Sequence, residues 1–563
     1  MPLRSRSLEG ERARSPWLAL AVLLVVGAGV QAAALAAGKI PWNSDQAVVG
    51  LMAKHIVERG EHPIFYYGAA YAGSLEPHFV AAVFLLLGPT SLAYEISLML
   101  LLAILLVLIF AVGRRSFGPE AALFAVAYLA VPPFFFLLKG LTSDGAYDTL
   151  AVLGAAMLLA ALAAEERLAR NRPPEAAIGL LGLLAGLAWW VDPLAAYFYL
   201  AIFLWFLLVR RSIFRHWRAY PVFLLSFALG SLPWWIANIR GSWPSLRVPE
   251  AARLPVAEAA KGFVRFWTTA VPVLFGDRPF YGWSPLFPGA GIVAFGMYAV
   301  PVVFAAVIVL QAAPWRERRG SETDPAARPL LLLLLLMLSM QVVVSWNPRT
   351  FQQEPRFLFS MYLPFALLIG FFFSRARRLL PLPVVAAAGV GILVFHALGI
   401  ARAPQEDDFA TQATTGRVTP IIQALEERGL TDVYTSYWLA YRLAFESGEK
   451  IRAASFGSAR TDRYPPYAVE VARSRNPAVI LTGSEADAFA RYLEKSGTHA
   501  DRLRVGLYVV FWNLPANVVE LLARIRRVPD AELRSGELLT PFGERSGAAS
   551  RFVPSPFPPP AAA

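Results

Sequence analysis

The chain has 563 residues, 56% hydrophobic, 13% aromatic and only 16% charged, a balance that excludes an ordinary soluble enzyme of this length and marks a membrane protein. Its formal charge of +12 lies mostly in short arginine clusters between apolar runs, where it sets topology; nucleic acid is therefore excluded as a partner. The absence of cysteine excludes disulfides, thiol nucleophiles and thiolate metal sites.

Apolar runs lie near 17–37, 91–112, 119–138, 145–164, 176–191, 194–209, 219–238, 291–312, 329–346, 356–374 and 381–401. Because roughly 20 residues cross a bilayer, they predict about eleven spans. The pair 176–191 and 194–209 is broken at Asp192–Pro193 and reads as a hairpin that barely reaches the far side. Forty-three prolines and forty glycines suit spans interrupted by re-entrant and interfacial segments. The first run ends in QAAALAAGK, which resembles a signal-peptidase site, but its apolar stretch is longer than a usual signal core and reads as a retained helix.

Arginine sets the orientation. Arg4, Arg6, Arg12 and Arg14, then Arg114 and Arg115, Arg167 to Arg172, Arg210 to Arg218, Arg316 to Arg328 and Arg375 to Arg378 fall on one side. The opposite short loops hold only Lys139, Arg349 and Arg356. Cytoplasmic loops keep positive charge, so the N-terminus is placed inside and the segment 38–90, the loop 239–290 and everything after about 402 outside the cytoplasm.

After the first span, SDQAVVGLMAKHIVERG predicts an amphipathic helix lying on the membrane surface, with Ser44 as N-cap, Val48, Leu51, Met52 and Ile56 on one face and Lys54, Glu58 and Arg59 on the other. HPIFYYGAAYAGSLEP follows, with Tyr67 and Tyr71 suited to the interface and placed as candidate substrate contacts; Glu76 then opens an apolar run too short to span. Asp45 and Glu76 are thus two candidate catalytic carboxylates on neighbouring interfacial helices. From spacing alone, Asp45 serves equally well as a first-turn acid meeting the helix dipole. LKGLTSDGAYD contributes Lys139, Asp144 and Asp148 at the outer face, Asp148 being the more notable because a charge within the membrane is costly.

From about 402 the composition becomes that of a soluble domain. TDVYTSY, KIRAASF, PAVILTG and RVGLYVVFWNL read as strands, and TPIIQALEERGL, YWLAYRLAFES and EADAFARYLEKSG as helices between them. DRYPPYAVE reads as a surface turn with no assigned ligand. The expected organisation is an α-helical polytopic membrane domain over 1–401, with interfacial helices at 43–88, an extracytoplasmic α/β domain over 402–540 and a Pro/Ala-rich disordered tail at 541–563.

The basic N-terminus, the single span, WNSDQA opening an interfacial helix, YYGAAYAGSLEP, LKGLTSDGAYD and the late EPRFLFSMYLPFALL together resemble the GT-C membrane glycosyltransferases. The likeness is to the family-39 type, which includes protein O-mannosyltransferases and lipid A aminoarabinose transferases, and it covers about the first 400 residues. It implies transfer of one sugar from a polyprenyl-phosphate donor to an envelope glycan, lipid or protein acceptor outside the cytoplasm, with inversion at the anomeric carbon, by a multi-pass protein of the inner (plasma) membrane in contact with its lipids. In that family the first outer loop carries an acid, usually Asp followed by Glu or Asp; Asp45 matches, whereas position 46 is Gln, which leaves one general base and removes a paired-carboxylate metal site. Arg356 matches the Arg-aromatic pair that begins a late helix and is the first candidate for the donor phosphate, with Arg349 and Lys139 as further candidates. No cofactor is assigned, since His55, His62 and His78 match no metal-ligand spacing, and a divalent cation is not expected. A transporter or flippase of lipid-linked glycans, and a noncatalytic scaffold, remain open as other classes.

Overall fold

The computed structural model describes residues 16–143, 145–246, 256–279, 284–312, 327–346, 355–404, 418–456 and 462–525. Arg349, Asp144, the N-terminal arginines and the 541–563 tail lie outside the described residues.

Helix α1 (Pro16–Ala36) leads to α2 (Ser44–Arg59), the ribbon β1 (Phe65–Tyr66) and β2 (Ala69–Gly73), and α3 (Leu75–Leu87). The membrane bundle continues with α4 (Ser91–Phe117), α5 (Pro119–Ala130), α6 (Phe134–Gly140), α7 (Tyr147–Ala169), α8 (Glu175–Val191), α9 (Ala196–Val209), α10 (Ala219–Gly230) and α11 (Leu232–Arg240). After α12 (Val256–Arg265) and α13 (Val271–Leu274) come α14 (Ala290–Ala312), α15 (Ala327–Trp346), a 3-10 turn at Arg356–Met361, α16 (Tyr362–Leu379) and α17 (Leu382–Arg402).

Among the described residues six helices are long and apolar enough to cross a membrane, and two bent pairs bring the number to eight. The bends follow from proline. Pro132 and Pro133 lack the N–H needed to continue the ladder, so α5 and α6 meet at 80°; Pro233, beside Ser231, accompanies the 62° break between α10 and α11. The three other predicted runs form shorter apolar helices, Glu175–Val191, Pro193–Val209 and Ala327–Val343. At 1.5 Å per residue, a helix of 17 residues covers about 25 Å, less than a hydrocarbon core of about 30 Å. By length and composition six to eight spans are thus found among the described residues, where the sequence shows about eleven apolar runs. Helix α3, with 13 residues, is too short to cross, as its sequence predicts.

Helices α8 and α10 cross in near backbone contact. A Cβ on Gly186 would lie 2.2 Å from the Phe227 carbonyl oxygen, and one on Gly230 2.3 Å from that of Leu183. Small residues let helices approach closely where lipid offers no hydrophobic drive for association. At one end of the bundle, Glu165 accepts from Arg210 (2.8 Å) and Arg328 (2.7 Å), while Glu166 pairs with Arg115 (2.7 Å). The arginine-bearing ends of α4, α9 and α15 are thereby joined on α7.

The C-terminal region contains α18 (Thr419–Glu426), β3 (Asp432–Thr435), α19 (Tyr437–Glu446), β4 (Arg452–Ser455), α20 (Pro465–Arg473), β5 (Ala478–Thr482), α21 (Gly483–Lys495), β6 (Asp501–Val505), β7 (Tyr508–Trp512) and α22 (Ala516–Ile525). Its sheet has the order β4-β3-β5-β7-β6, parallel across β4, β3 and β5 and antiparallel at β5-β7 and β6-β7. The segment expected as one strand at 504–514 is a hairpin, turned at Gly506 with φ +58°. Polar DRLRV hid the edge strand β6 because it lacks a buried face.

Candidate active site

The site grows from the start of α2. Asn43, not Ser44, is the N-cap: its Oδ1 accepts from the Asp45 N–H (2.9 Å) and the Gln46 N–H (3.3 Å), and Gln46 Oε1 returns the bond to the Asn43 N–H (2.7 Å). This is a capping box. Its completion explains Gln46, whose side chain also donates to the Leu141 carbonyl at 3.4 Å. It further releases Asp45 from capping. The Asp45 carboxylate accepts from the Tyr437 hydroxyl and faces Arg463 Nη2 at 3.8 Å, with 24% of its side chain exposed.

Both partners come from the C-terminal region, which alters the picture of α2. α2 is enclosed between the bundle and α19, so that its polar face is not left to solvent, and every residue from Ser44 to His55 except Asp45 is buried. Ser44 Oγ donates to the Tyr437 carbonyl (2.6 Å), and the Phe445 ring sits where Gly50 lacks a side chain. Trp42 packs edge-on against Tyr94 and stacks on Phe445. On the supposedly solvated face, Glu449 accepts from Lys54 (2.6 Å), Arg59 (2.5 Å) and Tyr467, and His55 Nε2 lies 2.9 Å from it. Burial pushes the Glu449 carboxyl up, but the bonds from His55, Lys54 and Tyr467 outweigh it and hold it well below the usual carboxylate range.

DRYPPYAVE, expected as an idle surface turn, supplies much of this junction. Pro465 and Pro466 begin α20, Tyr464 donates to Glu61 (3.2 Å), and the backbone N–H groups of Arg463 and Tyr464 donate to the Tyr441 hydroxyl (2.6 and 3.1 Å). Burial and the adjacent Asp45 push the Tyr437 hydroxyl well up, so it stays a neutral donor. Burial alone would favour deprotonation of Arg463, but Tyr437 and Asp45 more than offset it.

Tyr67, a candidate substrate contact, is engaged in the same junction: its hydroxyl donates to Glu61 (2.5 Å) and lies 2.9 Å from His55 Nδ1. Tyr71 is close enough to Arg463 to act on its charge. Glu76 departs from expectation. It is fully buried rather than at an interfacial surface, and its Oε2 accepts from Thr149 Oγ1 at 3.2 Å, with Asp148, Ser143 and Tyr66 around it. Asp148 is buried in this pocket and accepts from the Thr149 N–H (2.6 Å). Glu76 therefore pairs with the start of α7, whereas Asp45 faces the C-terminal region.

Lys139 is buried on α6, one helix break from Asp148. Arg356 opens the 3-10 turn that packs on α7, its guanidinium 5.3 Å from the Phe357 ring, which in turn meets Tyr147 edge-on at 5.7 Å. The Gln46–Leu141 bond ties the start of α2 to this same α6–α7 loop. Lys139, Asp148 and the turn opened by Arg356 thus lie along α6 and α7, and Gln46 ties the start of α2 to the loop between those helices. Among the described residues no group of three or more His, Asp or Glu is arranged to hold a metal ion.

Residues 75–236 match the family model described as dolichyl-phosphate-mannose-protein mannosyltransferase. No curated protein sequence matches the chain. In structure, the chain resembles ArnT from Cupriavidus metallidurans bound to undecaprenyl phosphate, with a TM-score of 0.56 and 12% identity over 90% of this chain and 99% of that one. The apo oligosaccharyltransferase of Archaeoglobus fulgidus is matched with a TM-score of 0.47 and 12% identity, over 84% of this chain and 70% of that one. A segment matching the protein-mannosyltransferase family model is thus set within a chain whose fold is ArnT-like.

Proposed function

We propose that the protein transfers one monosaccharide from a polyprenyl-phosphate carrier to a hydroxyl- or amine-bearing envelope acceptor outside the cytoplasm, with Asp45 as general base. The observation that carries this reading is the position of Asp45: its capping duty is filled by Asn43, and its carboxylate is held, partly exposed, where the membrane bundle meets the C-terminal region. The undecaprenyl phosphate bound to the structurally similar ArnT supports a carrier of that class.

In this reaction the acceptor gives its proton to Asp45 as its oxygen or nitrogen attacks the anomeric carbon from the face opposite the phosphate. The bond from that carbon to the phosphate oxygen breaks, the configuration inverts, and the polyprenyl phosphate leaves with its electron pair. Charge grows on the leaving phosphate, so cations near it stabilise the transition state more than the ground state. Arg356 and Lys139 are assigned to that phosphate, and Asp148 and Glu76 to shaping the sugar pocket behind it. The arginine-rich ends joined on α7 are assigned to the cytoplasmic face of the inner membrane, which puts Asp45 and the α/β domain outside.

The test is Asp45→Asn in proteoliposomes supplied with polyprenyl-phosphate mannose and an envelope extract as acceptor. Transfer is expected to fall about 10²–10⁴-fold, the usual share of a general base. Normal turnover by the variant would remove Asp45 from the mechanism.

A further inference from the structure

The C-terminal region brings two side chains to the acid that the chemistry above does not use. Tyr437 donates its hydroxyl to Asp45 Oδ1, and Arg463 Nε donates to that same phenol oxygen at 3.4 Å, with the guanidinium 5.7 Å from the Tyr437 ring centre. A general base must sit within hydrogen-bond reach of the proton it removes. The phenol therefore occupies Oδ1, one of the two oxygens on Asp45 that an acceptor's hydroxyl can take.

Topology points to the same location. Strand β3 passes through α19 to β4 on one side, and β4 passes through α20 to β5 on the other side of β3, so the winding reverses at the carboxyl end of β3. Open α/β sheets bind ligands in the crevice at such a reversal. Tyr437 follows β3 directly and Arg463 lies in the connection after β4, so this crevice faces Asp45. The approach is close on the membrane side as well: a Cβ on Gly68, whose φ is +68°, would lie 2.8 Å from Arg463 Cδ.

Resting on the reading of Asp45 as base, we propose that the acceptor's hydroxyl subsite lies between Asp45 and the carboxyl end of β3, and that Tyr437 fills it until a hydroxyl-bearing acceptor displaces the phenol. Arg463 is a positioning residue, holding the phenol on the acid. The closed arrangement has a chemical purpose. An uncovered Asp45 can take a proton from water, whose oxygen then attacks the anomeric carbon; the bond to phosphate breaks, and free sugar and polyprenyl phosphate result. A phenol on Oδ1 withholds that oxygen from water and so slows this waste.

The test uses the full-length protein in nanodiscs. Asp45 is labelled with a water-soluble carbodiimide and glycine ethyl ester, and its rate is followed by mass spectrometry. Tyr437→Phe is expected to raise the Asp45 labelling rate about tenfold, as befits loss of one hydrogen bond to a charged group. Tyr467→Phe, which loosens the junction away from Asp45, is expected to leave the rate unchanged. Equal labelling of wild type and Tyr437→Phe overturns the proposal, as does an equal rise in Tyr467→Phe. With undecaprenyl-phosphate mannose and no acceptor, Tyr437→Phe should also release free mannose faster, and Asp45→Asn/Tyr437→Phe should not. If release does not rise while Asp45→Asn alone stops transfer, the gate is wrong and the base stands; if Asp45→Asn transfers normally, the base itself is wrong.

Discussion

Asp45 acquires its availability from its neighbour. An acid in the first turn of a helix can be occupied entirely by backbone N–H groups, and sequence spacing does not distinguish that case from a reactive one. Here the Asn43–Gln46 capping box satisfies those donors and leaves the carboxylate free to face Tyr437 and Arg463. Asn43→Ala should therefore cost about 1 kcal/mol of local stability, the usual value of an N-cap, and let Asp45 swing back onto the open N–H groups. Transfer should fall several-fold, and Asn43→Asp, which keeps the cap, should restore it; equal activity of both variants would show that the box does not set the acid. Gln46 was legible as a departure from an acidic pair, but its capping bond was not, because it depends on where Asn43 begins the helix.

At the scale of elements, proline and glycine account for the shape of the bundle. Pro132–Pro133 turns one hydrophobic run into α5 and α6 at 80°, which carries Lys139 toward α7. The run was visible in the sequence; the bend angle was not, since proline removes a hydrogen bond without dictating where the next helix points. The α8–α10 crossing is equally specific. Gly186→Val would set a side chain against the Phe227 carbonyl. Overpacking of this kind costs about 1–3 kcal/mol or more. The variant should therefore denature several degrees below wild type in detergent, as read by thermal aggregation, and unchanged melting would mean that the helices separate without cost.

Across the whole molecule, one carboxylate joins two bodies. Glu449 gathers Lys54, His55, Arg59 and Tyr467, and only 10% of its side chain is exposed. Replacing it removes the carboxylate that Lys54 and Arg59 share, leaving them Glu58 at 3.3 Å and Glu61 at 3.9 Å, a loss of about 1.5–3 kcal/mol for hydrogen bonds to a charged group. Glu449→Gln should lower the thermal denaturation midpoint in detergent by several degrees at neutral pH. Because the folded carboxyl is held below its ordinary value, its contribution is complete above the unfolded value of about 4.3 and is lost only as pH falls through the lower folded value. The wild-type midpoint should thus hold at pH 5, and a fall at pH 5–6 would assign the junction to another group.

Hydrophobic run length, arginine asymmetry and the change of composition near 402 determined from sequence that this is a polytopic membrane protein with an appended α/β region, because the bilayer imposes those patterns on any chain that crosses it. Asp45 and the α6–α7 region were also legible, through short motifs in a fixed order. What only tertiary structure decided is which groups meet across long separations: Tyr437 and Arg463 reach Asp45 from about 400 residues away. The same distance hid the covering of α2, whose Lys54, His55 and Arg59 look solvated in sequence. Periodicity reports the two faces of a helix but not what is laid on the polar one, and here a second polar surface covers it, pairing charge with charge.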